Sequence, residues 1–235
     1  MRTRFRTRPP AMALCATLAA SLFTIAPPVF SEAAVWLIGP VSRTEISGLA
    51  GSTFTLGLPE GTHGVYGLLS LELNNKPCFI ATMSESINNF QDDSDAAENF
   101  CGANATSGEM KVEFDDVEFP QRTFVRALRV CTNKDNAQVK GLQIHGSVID
   151  ASGKVSDLPV RHADSPGSSG ASSLADLNSP VGLRRDCDSW QKWVECPQGG
   201  IATAITAHFE PGSNPRGLTG IALQCRAIGS TADQK

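Results

Sequence analysis

Residues 196–225 read "CPQGGIATAITAHFEPGSNPRGLTGIALQC", and this stretch decides the class of the fold. Ile201 to Phe209 is an uncharged run in which small and large apolar residues interleave with Thr. Side chains two apart share one side of a strand, so the run predicts Ile201, Ile205 and Phe209 on one face. A loop rich in Pro, Gly, Ser and Asn follows, and a second run then opens at Gly220. Its Ile221 and Leu223 are expected to face the same core across the hairpin. Cys196 and Cys225 bracket the whole unit as a staple.

The same grammar recurs along the chain. "STFTLGL", "YGLLSLEL", "FIATM", "MKVEFDDVEF", "TFVRALRV" and "GLQIHGSVID" are short β-branched or aromatic runs parted by turn residues. The one helix-permissive stretch, "SINNFQDDSDAAENF", is too polar to bury a strong face. Three segments align without gaps ahead of a Gly followed by Leu or Ile: "TFTLGLPEGTHGVYGLLSLEL", "VRALRVCTNKDNAQVKGLQIHG" and "TAITAHFEPGSNPRGLTGIALQC". Gly67, Gly141 and Gly220 anchor them, each segment reading as strand, polar loop, strand. The expected fold is therefore all-β, with three pseudo-repeated hairpin units in a β-prism-like closed arrangement. Residues 150–180, rich in Ser, Gly and Pro, read as a flexible surface loop within one β domain spanning 34–235.

The N-terminus places that domain in an exported chain. Arg2, Arg4, Arg6 and Arg8 precede an uncharged, mostly apolar stretch from Ala11 to Ala26, and Ser31-Glu32-Ala33 offers a cleavage site. This is the pattern of a signal peptide over 1–33, and the apolar run is short for a bilayer span. A secreted or periplasmic, soluble product is expected, with no integral membrane segment after cleavage. Six cysteines follow the leader: Cys78, Cys101, Cys131, Cys187, Cys196 and Cys225. An even number in an exported chain favours disulfides, and no C-x-x-C pair suggests zinc. Sequence does not choose the pairing; the expectation is Cys196–Cys225, with Cys78–Cys101 and Cys131–Cys187. Of 20 basic and 24 acidic residues, four Arg and one Glu lie in 1–33, which leaves a net charge of −7 on the rest. That balance argues against nucleic acid as a partner.

The stretch "CDSWQKWVECPQGGIATAITAHFEPGSNPRGLTGIALQCRAI" resembles the vitelline membrane outer layer protein family. The resemblance is carried by Trp190, Trp193, Cys196, Pro197, Gly199, Ile201, Gly220, Ile221, Leu223 and Cys225. It covers about the last 45 residues and implies a prism of three β-sheets with an affinity for oligosaccharides. The loop "PGSNPRGLTG" departs from that family, in which an acidic loop is usual.

Chemistry is sparse. His63, His145, His162 and His208 occupy separate contexts without a paired metal-binding motif. No nucleophile elbow or phosphate-binding loop occurs. Asp92, Asp93 and Asp95 form the one candidate calcium site, though they lack EF-hand spacing. Glu113, Asp115, Asp116 and Glu118, or the acids of 92–98, are the candidate pair for a carbohydrate-active enzyme. For binding, the candidates are Trp190, Trp193 and the loop residue Arg216, with the two Trp expected on opposite faces of a strand. The resulting expectation is a non-catalytic β protein that binds a glycan or a cell-surface component. A carbohydrate-active enzyme and a purely structural envelope or matrix protein are the alternatives.

Overall fold

The computed structural model describes residues 34–58, 61–88, 94–102, 107–114, 122–134, 137–158 and 181–231. The expected signal peptide lies outside these residues. The first strands are β1 (Val35–Arg43), β2 (Ser47–Gly48), β3 (Ser52–Gly57), β4 (His63–Leu73) and β5 (Lys76–Ser86). Next come β6 (Ala96–Asn99), β7 (Ser107–Glu113), β8 (Thr123–Thr132), β9 (Val139–Ile149) and β10 (Val155–Asp157). The chain ends with β11 (Val181–Leu183), β12 (Ser189–Trp190), β13 (Val194–Glu195), β14 (Gly200–Phe209) and β15 (Leu218–Ser230). They form three antiparallel sheets. One runs β1-β15-β14-β3 with β2 against β15, and one runs β6-β5-β4-β7. The third runs β10-β9-β8-β12, with β11 against β9 and β13 against β8.

Each sheet is built on one long hairpin: β4–β5, β8–β9 or β14–β15. All three carry a bulge at the fourth residue of the first strand, where Tyr66, Arg126 and Thr203 have no cross-strand partner. A second bulge lies towards the hairpin tip and leaves Cys78, Lys140 and Thr219 unpaired on the return strand. Bulges bend a strand and raise its twist, which suits sheets that must wrap a common core. The first segment aligned by sequence is not a hairpin. Its leading strand, β3, pairs with β14 in another sheet, and only β4 belongs to the long hairpin. Gly141 and Gly220 do correspond, whereas the position equivalent to them in the first hairpin is Phe79 rather than Gly67.

The three inner faces meet in one core. It includes Val65, Leu68, Ile80 and Met110 from one sheet, Leu128, Val130, Leu142 and Ile144 from the second, and Ile205, Phe209, Ile221 and Leu223 from the third. Strands β4, β8 and β14 each pack against the other two, so the arrangement is prism-like rather than a two-layer sandwich. At one end the second residues of the three hairpins converge. A side chain on Gly64 would fall 2.4 Å from a Phe124 ring carbon and 2.8 Å from Ile201, so the glycine makes room for both. Ile201 thus joins Val35, Ile87, Phe124 and Ile149 instead of the Ile205 cluster. The bulge at Thr203 breaks the two-residue period that placed Ile201 with Ile205 and Phe209.

Three disulfides hold the fold: Cys78–Cys101, Cys131–Cys187 and Cys196–Cys225. The last is not a staple within one hairpin. The Cys196 amide donates to the Arg126 carbonyl at the edge of the β8–β9 sheet, while Cys225 lies in β15, so the bridge joins two sheets. The stretch expected as a loop from residue 150 opens with a turn and β10, which pairs with β9. Residues 159–180 lie outside the described residues.

Candidate ligand-binding surfaces

Residues in register across antiparallel strands present their side chains on the same side of the sheet. On the outer face of the β8–β9 sheet, Trp190, Cys131, Gly141 and Leu183 therefore form one row across four strands. The next row holds Arg129, Gln143 and Val181. Gly141 is a glycine for reasons of space. A Cβ there would lie 2.8 Å from Leu183 and 3.3 Å from the Trp190 ring, which close over the backbone from either side. Val181 and Leu183 remain 46 % and 40 % exposed, so the apolar edge of this surface faces solvent.

Trp193 follows β12 without itself lying in a strand, which frees its ring from strand alternation. The guanidinium carbon of Arg129 lies 4.8 Å from the Trp190 ring centroid and 4.9 Å from that of Trp193. The expectation that the two indoles point to opposite faces is corrected: both gather on one arginine, and both are partly exposed. Cation–π contacts of this kind stabilise by about 0.5–2 kcal/mol each. Arg129 Nε donates to Gln143 Oε1 at 2.7 Å, which fixes the plane of the guanidinium. Partial burial lowers the Arg129 pKa, although an arginine stays charged at any physiological pH. Sequence reasoning found the two tryptophans and missed Arg129 and Gln143. The signal was present in "TFVRALRV", where arginines at 126 and 129 interrupt an otherwise apolar central strand.

Arg216 lies elsewhere. Its guanidinium caps the Phe100 ring at 4.9 Å, and Phe100 packs edge-on against Phe54 and Phe209. This is the end of the molecule where the three hairpin tips meet. Glu210 binds Lys76 at 2.7 Å from the β4–β5 tip, Gln138 at 3.1 Å from the β8–β9 tip, and Ser213 at 3.0 Å in its own loop. Its hydrogen bonds to Lys76, Gln138 and Ser213 outweigh burial and hold its carboxyl below the usual range. Beside it Lys140, the bulge residue of β9, is fully buried and lies 3.0 Å from the equally buried Glu72. The Lys140 ammonium also donates to the Asn75 carbonyl and lies 3.4 Å from Asp186. Arg184 Nε is 3.2 Å from the second Glu72 oxygen, but the two are misaligned and neither completes a hydrogen bond. Asn75, Arg184, Arg185 and Asp186 line a cleft of about 470 Å³ above this network. It is a polar second surface, and sequence offered no pattern that pointed to it.

The remaining candidates stay apart. Asp95 is exposed just before β6, Asp92 and Asp93 lie outside the described residues, and no metal-holding cluster occurs among the described residues. Glu113 pairs with Lys111 at 2.6 Å, while Asp115, Asp116 and Glu118 lie outside the described residues. His63, His145 and His208 are buried on separate strands, and His162 is outside the described residues. His208 accepts the Gly51 amide at 3.3 Å, and its burial lowers its pKa, which marks it as a structural acceptor. Among the described residues, no helix is long and apolar enough to cross a membrane.

Fold and site together define an all-β, prism-like protein with an exposed aromatic and cationic face. No protein-family model and no curated protein matches the chain. Among solved structures it is similar to the Calystegia sepium agglutinin at 7 % identity and a TM-score of 0.48, covering 80 % of this chain and 98 % of the other. A Malaysian banana lectin matches at 5 % identity and a TM-score of 0.43, covering 79 % and 97 %. The Vibrio cholerae biofilm matrix protein Bap1 matches at 10 % and 0.39, covering 86 % of this chain and 25 % of that one. Similarity of this degree assigns no ligand, and the three-sheet arrangement stands on the strand pairing itself.

Proposed function

We propose that this chain is a secreted or periplasmic, non-catalytic protein that binds carbohydrate on the outer face of the β8–β9 sheet. The observation that carries the reading is the cluster of Trp190, Arg129 and Trp193, with two partly exposed indoles held around one guanidinium. An indole face packs against the C–H side of a sugar ring, and planar polar groups beside it bond the ring hydroxyls. Arg129, held in place by the buried Gln143, supplies such a group. The leader pattern of residues 1–33 and the three disulfides support the export part of this reading. Kinship with the vitelline membrane outer layer family, carried by Trp190, Trp193 and the Cys196–Cys225 unit, is part of the same proposal.

The test is a glycan array followed by calorimetry on the hits, with wild type, Trp190→Ala and Trp193→Ala. Each variant should bind at least about tenfold more weakly, the loss of roughly 1.4 kcal/mol of ring stacking. Wild-type binding that survives both substitutions moves the site elsewhere, and wild type that binds no glycan ends the reading.

A further inference from the structure

Arg129 is, among the described residues, a cation without a counter-ion. Among the described residues no carboxylate lies within ion-pair distance of it, although residues 34–235 as a whole are acidic. The carboxylates on neighbouring strands are committed elsewhere. Asp157 takes Arg126 at 2.6 Å and Ser147 at 2.7 Å, Glu195 faces Arg126 at 3.9 Å, and Glu45 pairs with Lys192. The groups that face Arg129 are the two indoles and the neutral Gln143 amide. Gln143 engages Nε, and among the described residues neither Nη group makes a hydrogen bond or is sealed from solvent. The edge that the two Nη groups form is the one that grips a carboxylate or sulfate through two parallel hydrogen bonds. A guanidinium stacked by two rings and pinned at Nε is already oriented, so little side-chain freedom is lost when an anion arrives. Partial desolvation makes the charge attract an anion more strongly than an exposed lysine would.

We propose that this face selects acidic glycans, the Nη edge of Arg129 receiving the carboxylate or sulfate of a sugar whose ring stacks on Trp190 or Trp193. This rests on the carbohydrate-binding reading and narrows it to a ligand class.

Calorimetry with two matched pairs of probes tests it: oligogalacturonate against its methyl ester, and dextran sulfate against dextran. In at least one pair the acidic member should bind about tenfold or more tightly than the neutral one. The pair that shows the gap identifies carboxylate or sulfate as the group received. The gap should shrink from 50 mM to 500 mM salt and close in Arg129→Gln, with Arg129→Lys falling between because it keeps the charge and loses the fork. Arg185→Gln, in the cleft at the hairpin tips, should leave the gap intact. Equal binding of acidic and neutral members overturns this inference and leaves the carbohydrate reading standing; no binding of any of the four also overturns it, and the glycan array then decides the carbohydrate reading separately. A gap that persists in Arg129→Gln, or that closes in Arg185→Gln, also overturns it. Far-UV circular dichroism confirms that each variant is folded. If the Arg129 variants do not fold, the wild-type gap and its salt dependence still decide.

Discussion

At the scale of single residues, two arginine and lysine environments contrast. Arg129 has aromatic neighbours and an open edge, whereas Lys140 is sealed with its carboxylate. Lys140 owes its position to the second bulge of the β8–β9 hairpin, where the equivalent residues are Cys78 and Thr219. Removing one partner of a buried ion pair leaves the other charge uncompensated, at a cost of about 3–5 kcal/mol, while removing both is far milder. Lys140→Met should therefore lower stability by about 3 kcal/mol, the low end because Arg184 remains near Glu72. Adding Glu72→Leu should recover most of that loss, with urea denaturation as the readout. A single variant as stable as wild type would show that the pair carries no such burden. Neither partner was legible in the sequence, because Glu72 and Lys140 are 68 positions apart and each sits in a run that reads as an ordinary strand. Trp190 and Trp193 were legible because tryptophan is scarce in this chain.

At the scale of elements, alternation and turn chemistry located β3, β4, β5, β7, β8, β9 and both arms of the β14–β15 hairpin, but not β1, nor β6, which forms inside the stretch read as helix-permissive. Pairing was harder to read. Strands β3 and β4 are adjacent in sequence and look like a hairpin, yet they belong to different sheets. Alternation marks a strand without naming its partner, and within each long hairpin bulges shift the register by one residue without leaving a composition signal. The same effect moved Ile201 out of its expected cluster. The Cys196–Cys225 unit was recognisable as a stapled hairpin, but the staple reaches the neighbouring sheet through the Arg126 carbonyl. Closing a 29-residue separation restricts the unfolded chain by about 3–4 kcal/mol. The Cys196→Ser/Cys225→Ser double variant should lose about that much by urea denaturation. An unchanged midpoint would mean that the bridge adds nothing to the fold.

At the scale of the whole molecule, three sheets around one core present two candidate places for chemistry among the described residues. One is the outer face of the β8–β9 sheet, and the other is the end where the hairpin tips meet around Glu210 and the Lys140 network. The two are joined by one segment: residues 181–195 line the face with Leu183, Trp190 and Trp193 and supply Arg184, Arg185 and Asp186 to the cleft. Sequence placed the aromatic candidates in this segment and put Arg216 with them. Arg216 belongs to the tip end, because a loop between paired strands projects from the end of a sheet and not from its face. The chain has three tryptophans, so its indole N–H signals report on location directly. The decisive measurement is an NMR titration with the glycan that binds best, following those three signals. Trp190 and Trp193 should shift with the ligand while Trp36, on β1 of another sheet, stays in place. Binding that leaves Trp190 and Trp193 unmoved would contradict a site on the β8–β9 face.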